Sequence, residues 1–167
     1  QQWGQLGVNT AASAHGRGSV LRIGKTTYAQ GIGHHARGEI SVKLDGRYLC
    51  FHAKIGIQWQ GGGKGSVIFR VLVDGDVAFE SARMTDSSPP QAVRVDLKDA
   101  HKLLLVADDA GDSINCDMAD WVDAWLEVDP AHSFAQTTGV FFNRHKAPQA
   151  VSDGLGFFFI GTAEGPQ

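Results

Sequence analysis

The amino-acid sequence predicts an all-β fold, an antiparallel β-sandwich or jelly roll. Apolar side chains recur at every second position over several stretches, turn residues punctuate those stretches, and no segment longer than about ten residues carries a capped helical period. About seven short strands separated by turns suit two packed antiparallel sheets. A chain of 167 residues is long enough to bury a real core as one domain.

The elements follow in order. Gln1 to Ser19 is rich in Gly, Ala and Ser, with only Trp3, Leu6 and Val8 as anchors, and is expected to lie as irregular chain over one end of the sandwich. Ile40, Val42 and Leu44 alternate with polar residues, as do Leu49, Phe51, Ala53, Ile55 and Ile57, so each set lines one face of a strand. A Gly-rich loop from Gln58 to Gly65 leads to Val67, Phe69, Val71 and Val73. Asp74-Gly75 is the residue pair that tolerates positive φ in a two-residue hairpin turn, and the return strand runs from Val77 to Ser81. Met84 to Pro90 reads as a polar loop, because Pro89 and Pro90 donate no ladder hydrogen bonds. Val93, Val95 and Leu97 resume the alternation, and Leu103 to Ala107 reads as a buried central strand.

Trp121 to Val128 reads as a closing strand with Val122, Ala124, Leu126 and Val128 inward and Trp121 and Trp125 together on the other face. The domain is expected to span 1–129. Residues 130–167 form an extension whose apolar bursts, Val140-Phe141-Phe142 and Phe157 to Ile160, suit an added hairpin or the approach to a following domain.

Charge and composition exclude several function classes. A net charge of -3 with scattered Lys and Arg leaves no electrostatic footprint for nucleic acid. No apolar run approaches the ~20 residues of a spanning helix, so no membrane partner is expected. The lack of an initiator Met and of a signal-like segment suggests a mature or excised piece. Cys50 and Cys116 are compatible with one bridge in an oxidising compartment or with two buried free thiols, and neither their spacing nor their neighbours in sequence suggest zinc.

Three groups of residues could carry chemistry. The stretch from Asp108 to Asp123 holds Asp109, Asp112, Asn115, Asp117, Asp120 and Asp123, carboxylates that repel one another unless something neutralises or hydrogen-bonds them. Calcium would do so, with Asp120 and Asp123 as candidate ligands, and so would a polyhydroxylated ligand. A loop that caps its own backbone is the alternative. Around Gly31 to Glu39, the adjacent His34 and His35 cannot face the same way in extended chain, which disfavours a metal pair and leaves one His for a ligand or a packing role. Trp59, between Gln58 and Gln60, offers an aromatic face and amides suited to a pyranose, unless it merely covers the end of the core. No nucleophile elbow, phosphate loop or His-Glu-x-x-His completes a catalytic set.

Leu21-Arg22-Ile23-Gly24, Tyr28 to Ala36, Val71-Leu72-Val73-Asp74-Gly75 and Asp109 to Trp121, taken together and in this order, resemble the NPCBM/NEW2 family, carbohydrate-binding module family 51. The resemblance runs from about Trp3 to Val128. It implies a galactose-binding-like β-sandwich, a lectin-like and non-catalytic appendage of secreted glycoside hydrolases, with a galactose-type glycan as partner and a structural calcium in some members.

The Gly-x-Gly-x-His-Ala motif falls on Gly31, Gly33, His35 and Ala36, and the acidic motif on Asp109 to Asp123. Met118 stands where many members have His, and the family's usual first strand is not evident before Trp3, so a segment of the tail is a candidate to fill that edge. On this reading His35, Trp59, Asp112, Asn115, Asp117 and Trp121 bind sugar, and the chain belongs to an extracellular or periplasmic protein with further domains. A structural or protein-interaction module that has lost its pocket is the alternative.

Overall fold

A computed structural model describes residues 1–132, 150–152 and 157–161. Among them there is no α-helix; the only helical turn is a 3-10 turn at Pro130–His132. The strands are β1 (Gly7–Val8), β2 (Leu21–Ile23), β3 (Thr26–Tyr28), β4 (Gly31–His35), β5 (Gly38–Lys43), β6 (Tyr48–Ile57), β7 (Ser66–Val73), β8 (Asp76–Glu80), β9 (Met84–Thr85), β10 (Gln91–Asp96), β11 (Lys102–Asp108), β12 (Met118–Val128), β13 (Ala150–Ser152) and β14 (Phe157–Gly161).

One sheet centres on β6 and β12, with β10 beyond β6 and β4 and β1 beyond β12; the other runs β5-β11-β7-β8, with β9 against β7. Ile32, Phe51, Ala53, Ile55, Val93, Val95, Trp121, Ala124 and Leu126 of the first sheet meet Ile40, Val67, Phe69, Val71, Leu103 and Leu105 of the second in one core. The predicted sandwich is therefore present, with alternating positions facing inward as a half-buried strand requires. The β7–β8 turn has Asp74 at φ 51° and Gly75 at φ 103°, as the Asp-Gly pair predicts.

A second, smaller core lies outside the first sheet. The β2–β3 hairpin packs Leu21, Ile23 and Tyr28 on Val122 of β12. Gly33 of β4 admits the chain that lines this face, since a Cβ there would stand 2.3 Å from the Ala12 backbone nitrogen. The glycine of the family motif thus answers a close backbone approach.

Three readings of the sequence change. Gln1 to Ser19 is not wholly irregular: Gly7 and Val8 pair with Gly33 and Ile32 of β4. Met84–Thr85 is not free loop, because it pairs with Val67 and Ser66. Most consequentially, β12 is not one uninterrupted alternation. Its register on β6 shifts between Val122 and Trp125, and Asp123 adopts φ 48°. That bulge adds one residue and reverses the facing. Trp121 points into the sandwich and Trp125 away from it, so they do not share a face, and Val122 leaves the sandwich core for the outer one.

In the extension, β13 and β14 pair antiparallel, and Trp125, Leu126 and Glu127 pair parallel with Phe159, Ile160 and Gly161. β14 thus occupies the half of the β12 edge beyond the stretch that β4 covers at Met118–Val122. Val140-Phe141-Phe142 lies outside the described residues.

Candidate functional site

Three segments converge at the end of the sandwich where β6 stops and β12 starts. The loop after β4, the 58–66 loop and the 109–117 loop are tied together by their own hydrogen bonds. Ala36 N–H donates to the Asp117 carbonyl at 3.1 Å. Gln60 Nε2 donates to the Cys116 carbonyl at 2.7 Å. Ser66 N–H donates to Asp117 Oδ1 at 2.7 Å, and Ser66 Oγ to Asp112 Oδ2 at 3.0 Å. Gly65 permits the crossing, because a Cβ there would lie 2.1 Å from the Cys116 carbonyl oxygen.

The acidic loop divides its charge unevenly. Asp109, only 4% exposed, pairs with Arg37 at 2.9 Å, and that guanidinium holds its carboxyl below the usual carboxylate range. Asp112 is also held low, first by the Ser113 amide and the Ser66 hydroxyl, and it pairs with Arg83 at the exposed rim. Asp117 behaves oppositely: burial pushes it up to about 6 against the opposing Ser66 amide. Its Oδ2 is buried with no hydrogen-bond partner. The loop thus partly caps itself and leaves one carboxylate oxygen unsatisfied.

The remaining predicted residues are distributed as follows. Asn115 is exposed on the same loop, its amide held by Ser113 Oγ at 3.3 Å. Trp59 is 44% exposed, with the Arg22 guanidinium 3.8 Å from its ring centroid on one face. His35 is 4% exposed, stands opposite Met118 in the β4–β12 pairing, and packs against Trp3 at 4.9 Å between ring centroids. Burial holds its pKa below the ordinary histidine value. His34 is 1% exposed, both its ring nitrogens lack partners, and burial depresses it to about 3.

Trp121 is the correction to the predicted sugar contacts. It is 0% exposed and meets Phe69 edge-on at 5.2 Å and Phe51 at 6.3 Å, so no ring face is available for stacking. Sequence reasoning also missed Ser66 and Arg83, which join the loop segments only through tertiary contacts, and the Gln60 amide expected at the sugar is spent on the Cys116 carbonyl.

Asp120 and Asp123 do not form a shared cation cage. Asp123 stands at the bulge, is exposed, and pairs with Lys54 at 2.9 Å. Asp120 is 0% exposed on the opposite side of the register shift, burial pushes its pKa well up against the opposing Arg22 amide, and neither carboxylate oxygen has a hydrogen bond of good geometry, that amide donating to Gln58 Oε1. An orphaned buried carboxylate suits an oxygen-seeking cation, but calcium takes about six to eight oxygens, and of the two predicted ligands only Asp120 is free to contribute to such a set. Cys50 and Cys116 are free thiols near opposite ends of β6, the first buried and the second exposed, so no bridge joins them.

The fold has solved counterparts. The solved structure of CBM51 from Clostridium perfringens GH95 in complex with methyl-galactose matches at 27% identity and a TM-score of 0.69, covering 74% of this chain and 88% of that one. CBM51 domains solved with the M60 catalytic domain of C. perfringens ZmpB match at 32% identity and a TM-score of 0.69, covering 75% of this chain and 14% of that one. A Renibacterium salmoninarum protein named as an endo-alpha-N-acetylgalactosaminidase is 31% identical over 124 residues, which are 73% of this chain and 8% of that protein. The NPCBM/NEW2 domain model matches residues 1–127, and the chain belongs to that family.

Proposed function

We propose that the loop end of the sandwich binds a galactose-type glycan, and that the chain serves as an appendage of an extracellular glycoside hydrolase. As a member of its family the domain is a non-catalytic carbohydrate-binding module. The observation that carries the placement is the Gln60–Cys116 hydrogen bond, which pins the loop of the exposed Trp59 to the loop bearing Asn115 and Asp117. Trp59 supplies the aromatic surface for the C–H face of a pyranose. Asn115 and Asp112 present polar groups to its hydroxyls, while Asp117, 1% exposed with its unpaired oxygen buried, shapes their loop through the Ser66 amide and does not touch the sugar.

Relatives support the sugar class. One was solved with methyl-galactose and another with GlcNAc, so the choice between them is the specificity question for this chain. Single-site binding is expected to be weak, since a small polar ligand must recover its own desolvation, and multivalent glycans compensate.

Calorimetric titration of the calcium-loaded domain with methyl-galactoside, lactose and GlcNAc tests this reading. Galactosides bind, and Trp59→Ala and Asn115→Ala, both at exposed positions, each weaken binding by about tenfold or more without changing the melting temperature by more than a few degrees. No heat with any sugar from a folded domain would replace this reading with a protein-interaction scaffold, which the buried His35 and the Met118 beside it favour.

A further inference from the structure

At the opposite end of β6, three potential metal ligands meet on the outer face of the sheet. Cys50 and His52 are two residues apart on one strand and therefore share a face. Glu127 of β12 is directly opposite Cys50 in the β6–β12 pairing, and Trp125 is opposite His52. The Cys50 thiol, a His52 ring nitrogen and a Glu127 carboxylate oxygen all lie within 4.8 Å of one another. Trp125 stacks on the His52 imidazole at 4.1 Å and 6° between planes, which fixes the ring with Nε2 directed at Glu127 Oε2, 2.9 Å away.

We propose that Cys50, His52 and Glu127 form a structural binding site for a borderline divalent cation, zinc by preference. Thiolate, imidazole and carboxylate together are a zinc donor set, whereas calcium takes oxygen alone. Tetrahedral zinc spaces its ligand atoms at roughly 3.5 Å, so the three groups close on an ion by about an ångström of side-chain movement. Water or the Asp96 carboxylate, opposite Cys50 on β10, completes the fourth position.

The surroundings favour a cation. Burial, Glu127 and Asp96 all push the Cys50 thiol up, and Arg94 is the positive group opposing them. Without an ion, a His–Glu pair and a buried thiol share a crowded acidic corner; with one, the thiol loses its proton to solvent and the charges balance. Cys50 is 4% exposed, while the His52 and Glu127 side chains retain 21% and 14%, which leaves an entry path from one side. The site stands ~25 Å from the loop end, at about 3.3 Å per strand residue, and is independent of sugar binding there. Its effect is to clamp β6 to β12 where the pairing is irregular, between Glu127 and Val128.

The test uses the whole 167-residue chain in a Cys116→Ser background, so that Cys50 is the one remaining thiol. Metal-stripped protein is titrated with cobalt(II) and followed by absorption, and separately with zinc in a calorimeter. One equivalent of cobalt producing a thiolate charge-transfer band, with zinc displacing it and excess calcium failing to, supports the site. The band vanishes in Cys50→Ser, and His52→Ala and Glu127→Gln each weaken zinc binding at least about tenfold. A folded protein without a thiolate band, or one whose band and affinity are unchanged in both His52→Ala and Glu127→Gln, overturns it. Should Cys50→Ser fail to fold, the other two variants decide the question alone.

Discussion

At the scale of single residues, Asp117 is the group whose chemistry is set against its surroundings. Its folded value of about 6 lies above the ordinary 3.8, because burial disfavours the charged form more than the Ser66 amide favours it. The folded chain therefore holds this proton more tightly than the unfolded chain does. Below about pH 4 both states carry the proton; as pH rises toward 6 the unfolded state loses it first, and stability falls across that window. Asp117→Asn keeps the acceptor for the Ser66 amide and removes the titration. Urea midpoints at pH 4.5 and pH 7 should show the variant gaining on the wild type at the higher pH, and a difference independent of pH would refute this account.

Trp121 raises the reverse question, of a residue expected at the ligand and found in the core. It contacts Phe51 and Phe69, and its indole N–H is buried without a partner. Trp121→Ala should cost about 3–5 kcal/mol through the cavity it leaves. Trp121→Phe keeps an aromatic ring between the sheets and removes the orphaned donor, so its cost is smaller and galactoside affinity is retained. A Trp121→Phe protein of native stability that binds no sugar would return the residue to the ligand site.

At the scale of elements, what was legible was what local chemistry encodes. The alternation of Phe51, Ala53, Ile55 and Ile57 and the Asp74-Gly75 turn were readable, since each follows from neighbours in sequence. The bulge in β12 was not. Aspartate tolerates positive φ better than most residues, but nothing around Asp123 marks it as the position where facing reverses, and one added residue exchanged the environments of Trp121 and Val122. The same limit explains β9, which exists through its pairing with β7. The candidate site was half legible: Asp112 and Asp117 were found as an acidic run, but Ser66 and Arg83 reach Asp112 across 46 and 29 residues of chain. If the bulge sets the facing, Asp123→Val should destabilise by about 1–2 kcal/mol by forcing a β-branched residue into positive φ. Asp123→Gly should be near neutral, losing only an exposed pair with Lys54. Chemical denaturation of both variants checks this, and equal effects would mean the side chain matters there and the backbone does not.

At the scale of the whole molecule, the first sheet carries two different polar interruptions on its outer side. Asp120, orphaned and fully buried toward the loop end, suits an oxygen-seeking cation; Cys50, His52 and Glu127 at the other end suit a softer one. The two differ in sign when the ion is withheld. An unpartnered buried carboxylate is costly, so in metal-stripped protein Asp120→Asn should be at least as stable as the wild type, because it removes the charge and keeps the shape. Adding calcium should then raise the wild-type melting temperature and leave Asp120→Asn unmoved, since only a site that binds the folded state shifts the transition, by about 2.7 kcal/mol at a hundred times the dissociation constant. Cys50→Ser should keep the full calcium response and lose the zinc response. A calcium response surviving in Asp120→Asn would place the ion elsewhere, and a metal-stripped Asp120→Asn clearly less stable than the wild type would mean that the carboxylate is already satisfied within the protein.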